Sequence, residues 1–191
     1  MKQAPFTSKH WRRVEYERLV DLDVFEGEPL ELIGGQLIVA EPKGSPHAAA
    51  VGMAGDALRA ALPPGWTVRL QDPIALDDES VPEPDVAVVR GRHVDYRHAH
   101  PTRAALIVEV AESSLAFDRT QKGSLYARAG IADYWIVNLE DRVLEVYREP
   151  GPDLTAPFGW RYTSLTRSRP PESITPLGVP AAPVPVAALL P

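Results

Sequence analysis

The chain has 191 residues, 45% of them hydrophobic, and a formal net charge of −6, values that suit one domain with a well-buried core. It contains no cysteine, which removes disulfide frameworks, thiolate zinc sites and cysteine nucleophiles together and leaves carboxylate and histidine chemistry. The acidic balance argues against coating nucleic acid through bulk charge, and no apolar run approaches bilayer-crossing length, so a cytoplasmic protein is expected.

Trp11 to Leu22 mixes apolar and charged positions at near-helical spacing and predicts an N-terminal helix. Leu30 to Ala40 holds two apolar runs split by Gly34-Gly35, a pair that readily adopts the positive φ of a tight turn, and predicts a β-hairpin. Ser45-Pro46 offers a capping hydroxyl with proline at the first helical position. Val51, Ala54, Leu58 and Leu62 then recur on one face until Pro63-Pro64-Gly65 ends the helix. Strands are predicted at Trp66 to Leu76 and, after the extended Pro82-Glu83-Pro84, at Asp85 to Val89. From Arg90 to Arg103 the chain concentrates positive charge: Arg90, Arg92, Arg97 and Arg103, with His93, His98 and His100, stand against Asp95 alone. This segment reads equally as a solvated loop or as a set of phosphate contacts.

Ala104 to Ala111 is apolar throughout except for Glu109, the pattern of a central strand covered on both faces. Ser113-Ser114 can cap a helix from about Leu115 to Ala129, with Gly130 as its left-handed C-terminal residue. Tyr134 to Val137 and Val143 to Tyr147 predict a second hairpin through Leu139-Glu140-Asp141. Beyond Pro150, Trp160 to Leu165 suggests one more strand. A proline-broken apolar tail, Leu177 to Pro191, is expected to pack on its own domain rather than on a partner subunit. The whole predicts a single α/β domain over 1–191, with a core of about 11–149 and a C-terminal extension over 150–191.

The chemistry centres on Glu109, because an ionised carboxylate inside an apolar strand is costly unless compensated, and a metal ion would compensate it. Asp85 opens another apolar strand, so both acids could project from neighbouring strand ends, and such hard oxygen ligands suit Mg²⁺ or Mn²⁺ rather than zinc. Lys122 lies on the helix after the Glu109 strand, on one row with Asp118 and Tyr126, where an ammonium could stabilise charge developing on a phosphate. Duller readings exist for each: an exposed Lys122–Asp118 pair, a turn-capping Asp85, a salt bridge from Glu109 to a buried arginine. Glu31 carries no distinguishing local signal.

Glu31-Leu-Ile-Gly-Gly-Gln-Leu, Pro84-Asp85-Val, Val108-Glu109-Val, Asp118-Arg119 with Lys122, and Tyr126 through Gly130-Ile131 to Tyr134-Trp135 follow one another in a specific order. In that order and spacing the chain resembles the Uma-two family of the PD-(D/E)XK nuclease superfamily. The resemblance implies a restriction-endonuclease-like fold, a central mixed β-sheet flanked by helices with additional β-hairpins. It implies that Asp85 and Glu109 are the metal-binding acids, that Glu31 is an additional acid and that Lys122 is the catalytic lysine. The superfamily's usual lysine position is Ala111 here, and the family pattern moves the lysine to the following helix. Glu112 stands where the family often has serine, Asn138 where it often has aspartate, and His47 matches a frequent histidine position.

The expected activity is therefore Mg²⁺-dependent hydrolysis of DNA phosphodiester bonds. Because one site cuts one strand, a homodimer or higher homo-oligomer is expected. A non-catalytic binding or assembly protein with the nuclease fold is the rival reading, and hydrolysis of a smaller phosphate ester is a third.

Overall fold

The computed structural model describes residues 8–25, 27–39 and 43–191. Its elements are α1 (Arg13–Asp21), β1 (Leu30–Ile33), β2 (Gln36–Val39), α2 (Ser45–Ala61), β3 (Trp66–Leu70), β4 (Val86–Arg90) and β5 (Leu106–Ala111). Then come α3 (Leu115–Phe117), a π-helical turn (Asp118–Lys122), α4 (Gly123–Arg128), β6 (Asp133–Asn138), β7 (Val143–Pro152), β8 (Trp160–Ser168), β9 (Ser173–Ile174) and β10 (Val184–Pro185). Strands β3 to β8 form one six-stranded sheet in sequence order. All its pairings are antiparallel except β5 with β6. A parallel pair needs a crossover, and the helical segment from α3 to α4 supplies it.

Side chains alternate between the two faces of the sheet, and each face has its own cover. Val86, Val88, Leu106, Val108 and Val110 pack against Ala50, Ala54 and Leu58 of α2 and against Val184, Val186 and Leu189 of the C-terminal segment. Ile107, Ala111, Tyr134 and Ile136 face Tyr126 of α4. All six residues of β5 are buried, as a strand covered on both sides requires. Glu109 therefore points into the layer under α3 and α4. The C-terminal tail lies on its own domain, as expected, through Val179, Val184, Val186, Leu189 and Leu190. No helix among the described residues is long and apolar enough to cross a membrane.

The β1–β2 hairpin turns through Gly34 at φ +55° and Gly35 at φ +77°, the two positive angles of a primed turn. Four local expectations need correction. The cap of α2 is Gly44, in extended conformation, so Ser45 is already helical, makes no capping bond, and Pro46 is second rather than first. The strand from Trp66 stops at Leu70, because Gln71 takes φ +53° and the chain leaves the ladder. Ile74 then packs over Ala87 and Val89. Ser114 caps the third helical segment with φ −80° and ψ −3°, outside the extended region in which a side chain reaches the free amides, and its hydroxyl donates to Asp118 at 2.6 Å instead. β7 runs on to Pro152, so the expected core boundary near residue 149 falls inside a strand, and β8 completes the sheet. The far end of the helix behaves as expected: Gly130 sits at φ +73°, with its N–H on Ala127 and that of Ile131 on the Tyr126 carbonyl.

Candidate active site

Asp85 precedes β4 and Glu109 lies in β5, neighbours in the antiparallel ladder that pairs Val86 with Val108. The backbone itself ties the two acids together. Val110 N–H donates to Asp85 Oδ2 at 2.9 Å, and Asp85 N–H donates to Glu109 Oε2 at 3.3 Å. Glu109 Oε1 accepts from the Tyr126 hydroxyl at 2.7 Å and from Lys122 Nζ at 3.1 Å. The same ammonium reaches Glu31 Oε1 at 3.2 Å, and Glu31 Oε2 takes the N–H of Glu83 at 3.1 Å. Glu31, Asp85, Glu109 and Lys122 thus converge from β1, the start of β4, β5 and the π turn, and all four line one cavity of about 380 Å³.

Lys122 is only 7% exposed, which excludes the exposed Lys122–Asp118 pair, and the buried Glu109 takes its ion pair from Lys122 rather than from an arginine. Asp118 and Tyr126 are buried beside them. The π turn is bolted to the sheet at two points: Lys122 on Glu109 of β5, and Arg119, through its Nε at 3.0 Å, on the buried Glu145 of β7.

Around Asp85 stand three groups. His47 Nε2, from the first turn of α2, lies 3.0 Å from Oδ2, while Lys43 Nζ at 2.8 Å and Gln71 Nε2 at 3.3 Å donate to Oδ1. His47 Nδ1 is buried without a partner among the described residues. Lys43, Gln71 and Glu83 had no signal of this kind in the sequence. Lys43 and Gln71 reach Asp85 only through the tertiary fold, and the one local hint was an acid between two prolines immediately before Asp85.

Burial works to raise the Asp85 carboxyl, but the hydrogen bonds and charges of His47 and Lys43 outweigh it and hold the group well below the usual carboxylate range. Glu109 goes the other way. Burial, with Asp85, Asp118 and Glu31 nearby, pushes it far above the ordinary value against the pull of Lys122. Burial, Asp85 and Glu31 push Asp118 up in the same way, and burial with Glu31 raises Glu83 to about 7. Burial disfavours the Lys122 ammonium, yet Glu109, Glu31, Asp118 and Asp85 more than restore it, so it stays charged. The cavity therefore holds more carboxylate than its own cations balance.

That surplus is what a hard divalent cation would neutralise. No three histidine, aspartate or glutamate side chains among the described residues form a ready-made cage. Mg²⁺ does not need one, since it is commonly held by one or two carboxylates and keeps water for the rest. Glu109 Oε2, with a single 3.3 Å backbone donor, fits that description, and Asp85, whose two oxygens already have Lys43, Gln71, His47 and the Val110 amide as partners, would join it by releasing one of them.

The basic segment is elsewhere. Arg90 ends β4 and Arg92, Arg97 and Arg103 are exposed in the connection to β5, at the end of β4 opposite Asp85, roughly 17 Å away at strand rise. Arg92 pairs with Asp95 and Arg97 Nε meets His98 Nε2 at 2.8 Å. Glu112 is exposed at the cavity mouth and Asn138 bonds Asp141.

A helix-flanked mixed sheet whose adjacent strands present two acids beside a buried lysine is the restriction-endonuclease-like architecture. The chain matches the Uma2 family, described as "Putative restriction endonuclease", over residues 13–182, and it belongs to that family. Among solved structures it is similar to a crystal structure from Anabaena variabilis, described as a "putative nuclease belonging to DUF820". The TM-score is 0.62 at 13% identity, over 84% of this chain and 88% of that one, and at that identity the likeness speaks for the fold. No match was found among functionally curated proteins.

Proposed function

We propose that the chain is a single-domain, metal-dependent endonuclease that hydrolyses DNA phosphodiester bonds. The observation that carries this reading is the meeting of Glu31, Asp85, Glu109 and Lys122 around one cavity with a surplus of buried carboxylate. Asp85 and Glu109 would hold Mg²⁺ or Mn²⁺, which when bound polarises a phosphoryl group and favours attack by water. The chain's own groups do the rest. His47 and Lys43 keep Asp85 ionised and fixed in place, Tyr126 and the Val110 and Asp85 amides orient the two acids, and Glu31 holds Lys122 on the cavity side. The Lys122 ammonium is then placed to stabilise charge that builds on the phosphate oxygens. Arg90, Arg92, Arg97 and Arg103, a strand's length away, would meet the backbone of a long substrate rather than the reacting phosphate.

Incubating DNA with purified protein and Mg²⁺ or Mn²⁺ tests the proposal: wild type cleaves, while Glu109→Ala and Lys122→Ala do not. Equal traces of cleavage from all three assign the activity to a contaminant. Cutting both strands of a duplex calls for two cavities, hence a homodimer, and sedimentation showing only a 20.9 kDa species at micromolar protein would oppose it. The rival is a binding or assembly protein, favoured by the fact that Lys122 is already paired with Glu31 and Glu109. Calorimetry with Mn²⁺ separates the two, since no heat at millimolar ion supports the rival.

A further inference from the structure

The charged floor of the cavity has an apolar wall for which phosphodiester hydrolysis has no use. Ile38 and Val39 of β2 and Phe117 of α3 line the same space as Asp118 and Lys122. Among the described residues, none of the three belongs to a buried apolar cluster, and Val39 is 61% exposed. An aromatic and a β-strand aliphatic, Ile38 on the same hairpin face as Glu31, around a few convergent polar groups is the composition of a pocket for an organic ligand.

Phe117 owes its place to the π turn. Lys122 follows it by five positions, which at 3.6 residues per turn would set the two about 140° apart around the helix. The turn from Asp118 closes instead with Gly123 N–H on the Asp118 carbonyl, and such an i→i+5 turn brings residues five apart round to nearly the same side. Phe117 and the lysine ammonium therefore border one cavity.

The size of that cavity limits what enters. About 380 Å³ lies near the lower end of the roughly 300–1,000 Å³ of small-ligand pockets, which is space on the scale of a nucleotide unit rather than a double helix. A duplex keeps its base faces stacked inside, out of reach of an aromatic ring, and offers them only where a nucleotide is unstacked. Glu109 and Lys122 are themselves nearly inaccessible, so the reacting phosphate has to come in from the surface.

We propose that the cavity takes the phosphate together with its unpaired nucleobase, Phe117 supplying the stacking face and Ile38, on the Glu31 face of the hairpin, adding apolar lining. The strand is then unpaired where it is cut. The phosphate half of this proposal rests on the nuclease reading; the nucleobase half rests on the apolar lining.

Fluorescence anisotropy of a labelled oligonucleotide, in EDTA and again with Ca²⁺ as a hard cation, tests the binding without requiring cleavage. Wild type should bind the single strand at least tenfold more tightly than the blunt duplex of the same sequence. Phe117→Ala should weaken single-strand binding roughly 5- to 150-fold, the range for loss of one base–aromatic stack, and Phe117→Tyr should restore it. An abasic strand of equal length should bind wild type as weakly as it binds Phe117→Ala, with no further loss in the variant. Should Phe117→Ala melt early, Ile38→Ser probes the other apolar lining residue with the same expected direction. Duplex binding as tight as single-strand binding, a Phe117→Ala effect under twofold, or no binding of either strand at micromolar protein each overturns the proposal. Stacking behaviour without any metal-dependent cleavage would retain the nucleobase half while removing the nuclease reading and the phosphate half with it. Cleavage that ignores Phe117 would do the reverse.

Discussion

Replacing Lys122 with methionine keeps the length and volume of the side chain and deletes its charge. In the folded protein that charge sits 3.1 Å from Glu109 Oε1 and 3.2 Å from Glu31 Oε1, with 7% of the residue exposed. Removing one partner of a buried ion pair costs about 3–5 kcal/mol where the other charge is left uncompensated, which for Glu109 means melts run above its raised value of about 8, since below it the acid takes a proton instead. For a chain of this size each kcal/mol moves the melting temperature by roughly 2–4 °C, so Lys122→Met should melt roughly 6–20 °C below wild type in metal-free buffer. The double variant Lys122→Met/Glu109→Gln removes the charge that was stranded and should regain much of the loss. Calorimetric melts of the four proteins close a double-mutant cycle. A loss under about 1 kcal/mol for the single variant, or additive effects in the double, would show that the pair is loosely held and would refute the description of Lys122 as the ion that balances this cavity.

Tyr126→Phe deletes the 2.7 Å hydroxyl bond to Glu109 and should cost about 1–3 kcal/mol of stability, the range for leaving a buried acceptor short of a donor; chemical denaturation measures it, and no change would mean that Glu109 does not depend on that bond. Glu145 is buried on β7, and although burial raises its carboxyl, its bonds to Arg119 and Tyr147 hold it at about 2 against an ordinary 4.5. Its folded value is depressed, so its stabilisation is complete above about pH 4.5 and is lost as pH falls toward 2. Urea melts should accordingly show a shallower acid loss in that window for Glu145→Gln than for wild type, and identical slopes would contradict the assignment. Gly34→Ala meets two obstacles, a φ of +55° and the Phe158 ring where the new Cβ would sit; it should destabilise by more than about 1 kcal/mol, and a neutral melt would show that the hairpin turn can relax.

How much of this was legible beforehand follows from range along the chain. The strand that follows Asp85, the strand holding Glu109, the Gly34-Gly35 turn, the helix carrying Lys122 and the left-handed Gly130 all leave local marks: apolar runs, paired glycines, helical spacing, a glycine stop. Glu109 announced itself because a charge inside an apolar strand needs a reason. Lys43, Gln71 and Glu83 did not, since nothing near them in the sequence tells that they end beside Asp85. The helix ends were misread where one torsion angle decides, as Gly44 took the cap that Ser45 was suited to and Ser114 turned its hydroxyl to Asp118. The π turn left no compositional mark at all, because it is closed by Arg119 and Lys122 gripping two different strands. The arginines after β4 were conspicuous in sequence and lie at the other end of the sheet.

A π turn is in effect a helix carrying one residue too many. Removing Thr120, exposed, or Gln121, half-buried, the two positions between the anchors, would let the segment relax to ordinary pitch, and then Arg119 and Lys122 could not both keep their strands. The surplus residue thus behaves like a wedge that keeps the segment seated, and lineages that lost it by a one-codon deletion would have to rebuild the lysine's position from another part of the chain.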